Sequence, residues 1–479
     1  MAYLLGKQQN NPSFFVEYTQ DEHERLDKLF WCDGQSRNDY KAFGHVLAFD
    51  TTYKCNAYRK PFVVLVGVNH NRKTVVFGCA LIVDEKTESF VWVLNQMIKA
   101  GEGFKPLTVI TDGDRAMACA IKEVLPEARH RLCLWHLMRN IQGHGQNGFS
   151  SGFMTCVNKC HTIEDFEVAW KELITHHKVE GEKWVEELYD SREKWSEAHM
   201  RGYFFGGLYE IITRMNFPID VLSNFFLLFL AIEQRRFDDR EDEYKNIHEF
   251  PHVPKGDCFR DLQIAAANVY TKASFMVVKR EMKRESNYVV MNCDQPEKGK
   301  KKDIVTYHIR DVRTKAKFVA VHDDTHKSMY CCCLKLESIG YPCRHMFAVM
   351  KYKGMKEIPP GCIVQRWLKL AKANYAKDPT DENKEDDNSR ETIAARRAHL
   401  SYILKPIIDI AVRSADTYTE LKEMFGKLTL SVKEKLGGGC NSDTKEKKPL
   451  LGIGNPEVVT SQKGLSKKRK TPLKPKGGR

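Results

Sequence analysis

Residues 46–54 read VLAFDTTYK, residues 61–71 read PFVVLVGVNHN and residues 74–84 read TVVFGCALIVD. These are three apolar runs rich in Val, parted by short polar turns, and runs of this kind predict β-strands. Downstream, Phe90, Val91, Leu94, Met97 and Ile98 recur at helical spacing between Glu88 and Ala100. Leu107 to Thr111 is a short buried strand that ends in Asp112. Arg115 to Val124 is a helix stopped by Pro126, and Arg129 to Leu134 reads as a further strand. The order is β-β-β-α-β-α-β, which predicts an α/β sheet core over residues 39–145.

Two acids stand out in this core. Asp50 lies in the first strand and Asp112 directly after the fourth. If those strands are neighbours, the two carboxylates converge despite 62 residues of separation. Convergent carboxylates from separate elements are what two-metal phosphoryl transfer needs. Pattern alone leaves each equally readable as a strand-end or capping residue, and Asp114 as the N-cap of the following helix. Cys133 and His136 form C-x-x-H. Two ligands do not make a zinc site, so on their own they read more readily as a buried thiol and a hydrogen-bonded ring.

Working outward, residues 1–38 read as a lead-in segment. Residues 146–270 are helical text whose core comes from Trp170, Trp184, Trp195 and the Phe-rich stretch 204–229. Residues 271–375 return to strand text (DIVTYHIRDV, KFVAVHDD) and then a cysteine cluster. An acidic linker, 376–392, leads to a helical segment, 393–436, and a basic tail, 437–479, expected to be disordered. The chain has 479 residues and a net charge of +13, but residues 440–479 alone hold eleven Lys or Arg against three Asp or Glu. The body is therefore only about +5, so composition is a weak argument for nucleic-acid binding by the folded part. No stretch approaches the roughly 18 apolar residues of a membrane span, and the N-terminus lacks a secretory pattern. Fifteen cysteines in such a chain point to reduced thiols and metal ligands.

In order, the phrases FDTTY, N-x-Y-x-x-P-F, GVNHN, FGCAL, T-D-G-D-x-A-M and HRLCLWHL resemble the Mutator-like transposase domain. They resemble most the plant far-red-impaired-response family, domesticated from such transposases. LFWCDGQSRNDYKAFG (29–44) and RGYFFGG (201–207) extend the likeness. The resemblance implies an RNase H-like core with an all-helical insertion, and Asp50 and Asp112 as the first two members of a DDE triad. Cys133 and His136 match the family's C-x-x-H. The third acid is expected after FF-x-G. There this chain departs, reading LYEIITRMNFPID (208–220), in which Glu210 is the only acid before Asp220. Glu193, Glu197 and Glu233 are further candidates that read as solvated helix faces. The implied function is a catalytically silent, nuclear, DNA-associated transcription regulator that takes no small-molecule substrate, has no membrane partner, and pairs with itself or with relatives. An active transposase using Mg²⁺ or Mn²⁺ is the alternative. A third reading is a dimerisation partner without its own specific DNA binding, because relatives commonly carry an N-terminal zinc-finger domain before this region.

In CCCLKLESIGYPCRH, the residues Cys331, Cys333, Cys343 and His345 give C-x-C-x9-C-x-H. Four such ligands in two close pairs suit tetrahedral Zn²⁺, and the segment resembles a small SWIM zinc finger over about 320–352. Cys332 is expected to point away, Gly340 to permit a tight turn, and loss of the metal to unfold residues near 325–350 only. The run Lys467, Lys468, Arg469 and Lys470 is of the nuclear-import kind.

Overall fold

The computed structural model describes residues 1–52, 60–144, 148–160, 162–208, 225–294, 304–376 and 414–435, with residues 407 and 411. Helix α1 (Ala2–Asn10) precedes strands β1 (Phe15–Gln20) and β2 (Leu26–Cys32) and helix α2 (Gly34–Phe43). Then follow β3 (Val46–Thr52), β4 (Phe62–Val68), β5 (Thr74–Leu81), α3 (Thr87–Ala100), β6 (Thr108–Thr111), α4 (Arg115–Val124) and β7 (Arg129–Leu132). The three Val-rich runs are β3, β4 and β5. They form strands because their side chains are buried on both faces of the sheet, with β4 covered along its entire length.

The sheet order is β1-β2-β5-β4-β3-β6-β7. β3 runs parallel to β6, and β6 parallel to β7; β4 and β5 are antiparallel. The lead-in, bounded in the sequence as residues 1–38 ahead of the core, supplies β1 and β2 of this sheet, with Leu29–Trp31 pairing onto Cys79–Leu81. One face packs Phe49, Leu65 and Phe77 against Phe90, Leu94 and Met97 of α3 and Met117 and Ile121 of α4. The opposite face packs Val46, Val64, Val66 and Ile110 with Trp31, Cys133 and Leu208.

A helical layer follows: α5 (Leu134–Gly143), α6 (Phe149–Asn158), α7 (Ile163–His177), α8 (Lys183–Asp190) and α9 (Glu197–Met200). Its core is aromatic, with Phe153, Phe166, Trp170 and Trp195 mutually in contact. A capping box at Thr162 and Asp165 starts α7. Helix α10 (Phe225–His248) then crosses back to the sheet, where Asn69 donates to Asp239, and Arg236 pairs with Asp33.

The third part, in which a small finger is expected over about 320–352, forms a second core. Helices α11 (Arg260–Val269) and α12 (Lys272–Arg284) lead to a four-stranded antiparallel sheet. Its strands are β8 (Tyr288–Asp294), β9 (Ile304–Asp311), β10 (Lys317–Asp323) and β11 (Ser328–Cys331), followed by α13 (Lys335–Ile339) and α14 (Arg344–Tyr352). Helix α15 (Ala371–Ala376) returns to the first sheet, and α16 (Ala415–Lys435) lies within the helical segment expected over 393–436. Apart from residues 376, 407, 411 and 414, the remainder of that segment and the acidic linker lie outside the described residues, as does the basic tail with Lys467 to Lys470.

Candidate metal centres and the seam between them

The β3–β6 register has a constant offset, Val46 opposite Thr108 and Ala48 opposite Ile110. Continued two residues, that offset sets Asp50 beside Asp112. Their carboxylates and the His136 ring offer ligand atoms that all lie within 4.8 Å of one another. His136 Nε2 is 3.6 Å from Asp50 Oδ2, and both side chains keep contact with solvent, 20% and 17% exposed. Asp50 Oδ1 accepts from the Thr51 amide, and Asp112 Oδ1 from the Asp114 amide. Asp114 itself caps α4 by accepting from Met117 N–H.

The C-x-x-H pair is divided between two tasks. Cys133, at the N-cap of α5, is fully buried in the apolar face of the sheet. His136 is three residues on, nearly one helical turn, and reaches the carboxylates. Spacing alone joined the two; the helix start separates them. Glu85 accepts from Thr51 Oγ1 at 2.7 Å. Thr51 is next to Asp50 on the strand, so its side chain points to the opposite face, and Glu85 takes no part in the cluster. Glu210 lies outside the described residues.

The second centre is of opposite character. Cys331 ends β11, Cys333 occupies the turn before α13, Cys343 is the N-cap of α14, and His345 is in that helix's first turn. All four ligand atoms lie within 4.8 Å of one another. His345 Nδ1 is 3.5 Å from Cys331 Sγ and 3.7 Å from Cys343 Sγ. Tetrahedral Zn²⁺ with ordinary Zn–S and Zn–N bonds sets its S and N ligands about 3.6 Å apart, so the donor set fits this ion in kind and spacing. Cys332 is exposed and turned aside, its sulfur accepting from Val319 N–H. Burial pushes the Cys343 thiol well above its usual range, a cost that a bound cation would offset by stabilising the thiolate. Aromatic rings orient His345: Phe318 stacks on it at 3.9 Å and Tyr288 meets it edge-on at 4.6 Å.

Cys331 and Cys343 sit inside an apolar cluster that also holds Phe259, Tyr270, Val278, Ile309, Phe347 and Trp367. The ligands are therefore rooted in a core spanning residues 259–367, and the expectation that only residues 325–350 depend on the metal is too narrow.

Residues 201–207 (RGYFFGG) are the seam between the two cores. Arg201 donates to Cys333 O, Gly202 N–H to Ser338 Oγ, and the Phe205 and Gly206 amides to Ser338 O. On the other side, Phe204 O accepts from Thr108 Oγ1 of β6, and Arg131 lies over the Phe205 ring. Gly340 closes α13 at φ +84°, and a Cβ there would meet Trp367 Nε1 at 2.5 Å, so the turn requires glycine. Arg366, buried, donates to Phe43 O of α2 and Val68 O of β4. Lys372 pairs with Asp39 and with Glu243 of α10. These seam contacts were not foreseen; the motif was noticed in the sequence, but nothing local showed what it touches.

Residues 46–140 match the MULE transposase domain. Over 407 residues the chain is 30% identical to FAR1-RELATED SEQUENCE 5 of Arabidopsis thaliana, covering 79% of this chain and 49% of that protein. It is 29% identical to FAR1-RELATED SEQUENCE 4 of the same plant, over 78% of this chain and 52% of the relative. It is 27% identical to FAR-RED IMPAIRED RESPONSE 1, over 78% and 46% respectively. The chain spans about half the length of the curated relatives it matches. The resemblance read from its motifs thus holds across most of the sequence.

Proposed function

We propose, from the premise that most of this chain is similar to the far-red-impaired-response proteins, that it is a nuclear, DNA-associated transcription regulator derived from a transposase. Its first sheet is read as an RNase H-like core that no longer cuts DNA, and its second core as a SWIM-type zinc module. The observation that carries the reading is the β5-β4-β3-β6-β7 order with Asp50 and Asp112 side by side, an arrangement inherited with the fold whether or not chemistry persists.

Silence rests on charge. In-line displacement uses paired divalent ions to stabilise both attacking and leaving oxygens. Asp50 and Asp112 supply two negative charges, and His136 contributes a neutral or positive ring in place of a third. In residues 208–220 Glu210 comes too early and Asp220 too late for the missing acid. Zn²⁺, held by Cys331, Cys333, Cys343 and His345, supplies folding energy without chemistry.

The test incubates purified protein with plasmid and with oligonucleotide ends in Mg²⁺ and in Mn²⁺, and measures retention of the same DNA by anisotropy. Binding without nicking is expected. A second reading, an active nuclease, is favoured by the cation-sized spacing of Asp50, Asp112 and His136. Metal-dependent nicking abolished by Asp50→Ala would establish it.

A further inference from the structure

A cavity of about 530 Å³ opens between the helical layer and the second core. Among the described residues its charged lining is one-sided: Arg201, Arg284, Lys335 and Arg344 against the single carboxylate Glu197. We propose that this cleft seats a phosphate of a nucleic-acid strand. The proposal deepens the DNA-associated reading above and rests on it.

The cations are held in place from behind. Glu281 of α12 has a side chain only 3% exposed, and it accepts from Lys335 at 2.8 Å and from Arg344 Nε and Nη2, one edge of the guanidinium, at 3.0 and 3.1 Å. Arg284 lies 3.7 Å from the same carboxylate. Against the upward push of its burial, Lys335 and Arg344 draw Glu281 below the usual carboxylate range, so it is ionised at neutral pH. One carboxylate cannot neutralise three cations. Arg201 adds a fourth cation to the lining; against them stand Glu197, with one negative charge, and the zinc centre with three thiolates, with another. The cleft remains net positive. A structural ion pair needs one cation per carboxylate; the surplus here is the pattern of an anion site, with Arg and Lys forks pre-oriented for phosphate oxygens.

Size and the rest of the wall narrow the ligand. The volume lies within the range of ligand pockets and exceeds what one phosphate fills. Tyr288, Leu134 and Met154 add aromatic and apolar surface, which suits a base attached to the phosphate, and Cys333, Cys343 and His345 of the zinc centre also line the cavity.

The experiment uses the full zinc-loaded chain and a fluorescent single-stranded oligonucleotide, titrated between low and physiological salt. Inorganic phosphate and a nucleoside monophosphate are separate arms. Lys335→Ala and Arg284→Ala, which leave the bidentate Arg344–Glu281 pair intact, are each expected to weaken binding roughly tenfold and to reduce the salt slope by about one. Glu197→Gln is expected to tighten binding severalfold, an effect that a misfolded variant does not produce. Zinc content is checked throughout. If the intact chain binds DNA and all three variants match it in affinity and slope, the cleft proposal fails while DNA association stands. If the chain binds no oligonucleotide but takes the monophosphate in a Lys335-dependent way, the phosphate site stands with a mononucleotide as its source. If it takes neither, the cleft proposal and the DNA-associated reading fail together.

Discussion

The two clusters able to hold a metal differ in the way that separates exchange from permanence. Asp50, Asp112 and His136 gather at strand ends and a helix start, half-buried, from hard oxygen donors and one ring. Cys331, Cys343 and His345 are buried in the interior of an apolar core, and Cys333 lies against it. An open carboxylate site can gain and lose an ion without disturbing the sheet, because its strands are already buried on both faces. An enclosed thiolate site cannot, because without the ion its ligands are polar groups in an apolar interior. Exposure, more than ligand count, decides which centre is structural.

The largest expected effect follows from that contrast. Cys343→Ala should abolish stoichiometric zinc and destabilise the second core by more than about 5 kcal/mol, given the roughly 10–16 kcal/mol that a structural zinc contributes in small modules. Metal analysis and denaturant unfolding would check this. A variant that keeps its zinc, or loses it with the second core intact, would remove the distinction between the centres. Hydrogen exchange sharpens the point: protection should be lost across residues 259–367 and retained in β3, β4 and β6.

Next in size is the link between the cores. Arg366→Met leaves the Phe43 and Val68 carbonyls without this donor, at roughly 1–3 kcal/mol each. Two unfolding transitions in place of one, seen by calorimetry, are expected from the weakened coupling.

A pH series should attack the first core. Burial lowers His45 to about 4, His70 to about 3 and His130 to about 4. All three are neutral in the folded protein at pH 7 and take up protons on unfolding near their ordinary value of 6.5. Their contribution is fully present above pH 6.5 and is lost as pH falls from there towards 4. Asp239, raised to about 6 mainly by burial, acts oppositely, its cost easing below pH 6. Asp39, also raised by burial, acts with Asp239; with three histidines against these two acids, urea midpoints are expected to fall with acid, and His130→Gln to flatten the curve.

The smallest effect belongs to the carboxylate centre. Mn²⁺ at about a hundred times its dissociation constant would add roughly 2.7 kcal/mol, and Asp50→Asn should remove that increment while leaving metal-free stability within about 1 kcal/mol. If the metal-free Asp50→Asn protein is much less stable than the unaltered one, the centre is structural after all.

How far the sequence was readable follows the range of each contact. The strands and helices between Val46 and Leu132 were legible because each is a run of one character between turn residues, and the β3–β6 neighbourhood followed from their order. The zinc ligands were legible because their spacing is local. Strands β1 and β2 were not: Glu17 in FVEYTQ and Asp27 and Lys28 in LDKLFWC interrupt the apolar text, so neither reads as core. The role of His136 was hidden because spacing tied it to Cys133, while the partner that matters lies some 86 residues earlier, at Asp50. The seam at 201–207 was hidden for the same reason, since every group it binds comes from distant sequence.

The return of α15 to the first sheet has a consequence for the order in which the protein is made. Asp39 is buried, and its carboxyl is pushed up by that burial; the cation facing it is Lys372, 333 residues later. Ala371 fills a place in the same apolar cluster as Phe49 and Phe77. On the ribosome, residues 46–140 emerge long before either, so the nascent sheet must wait with an uncompensated acid in its wall while the entire second core is synthesised. Completion is then a single late event, in which arrival of the zinc-bearing part delivers Arg366 and Lys372 together. The wall of the transposase-like segment is thus completed by residues that lie far outside it in sequence.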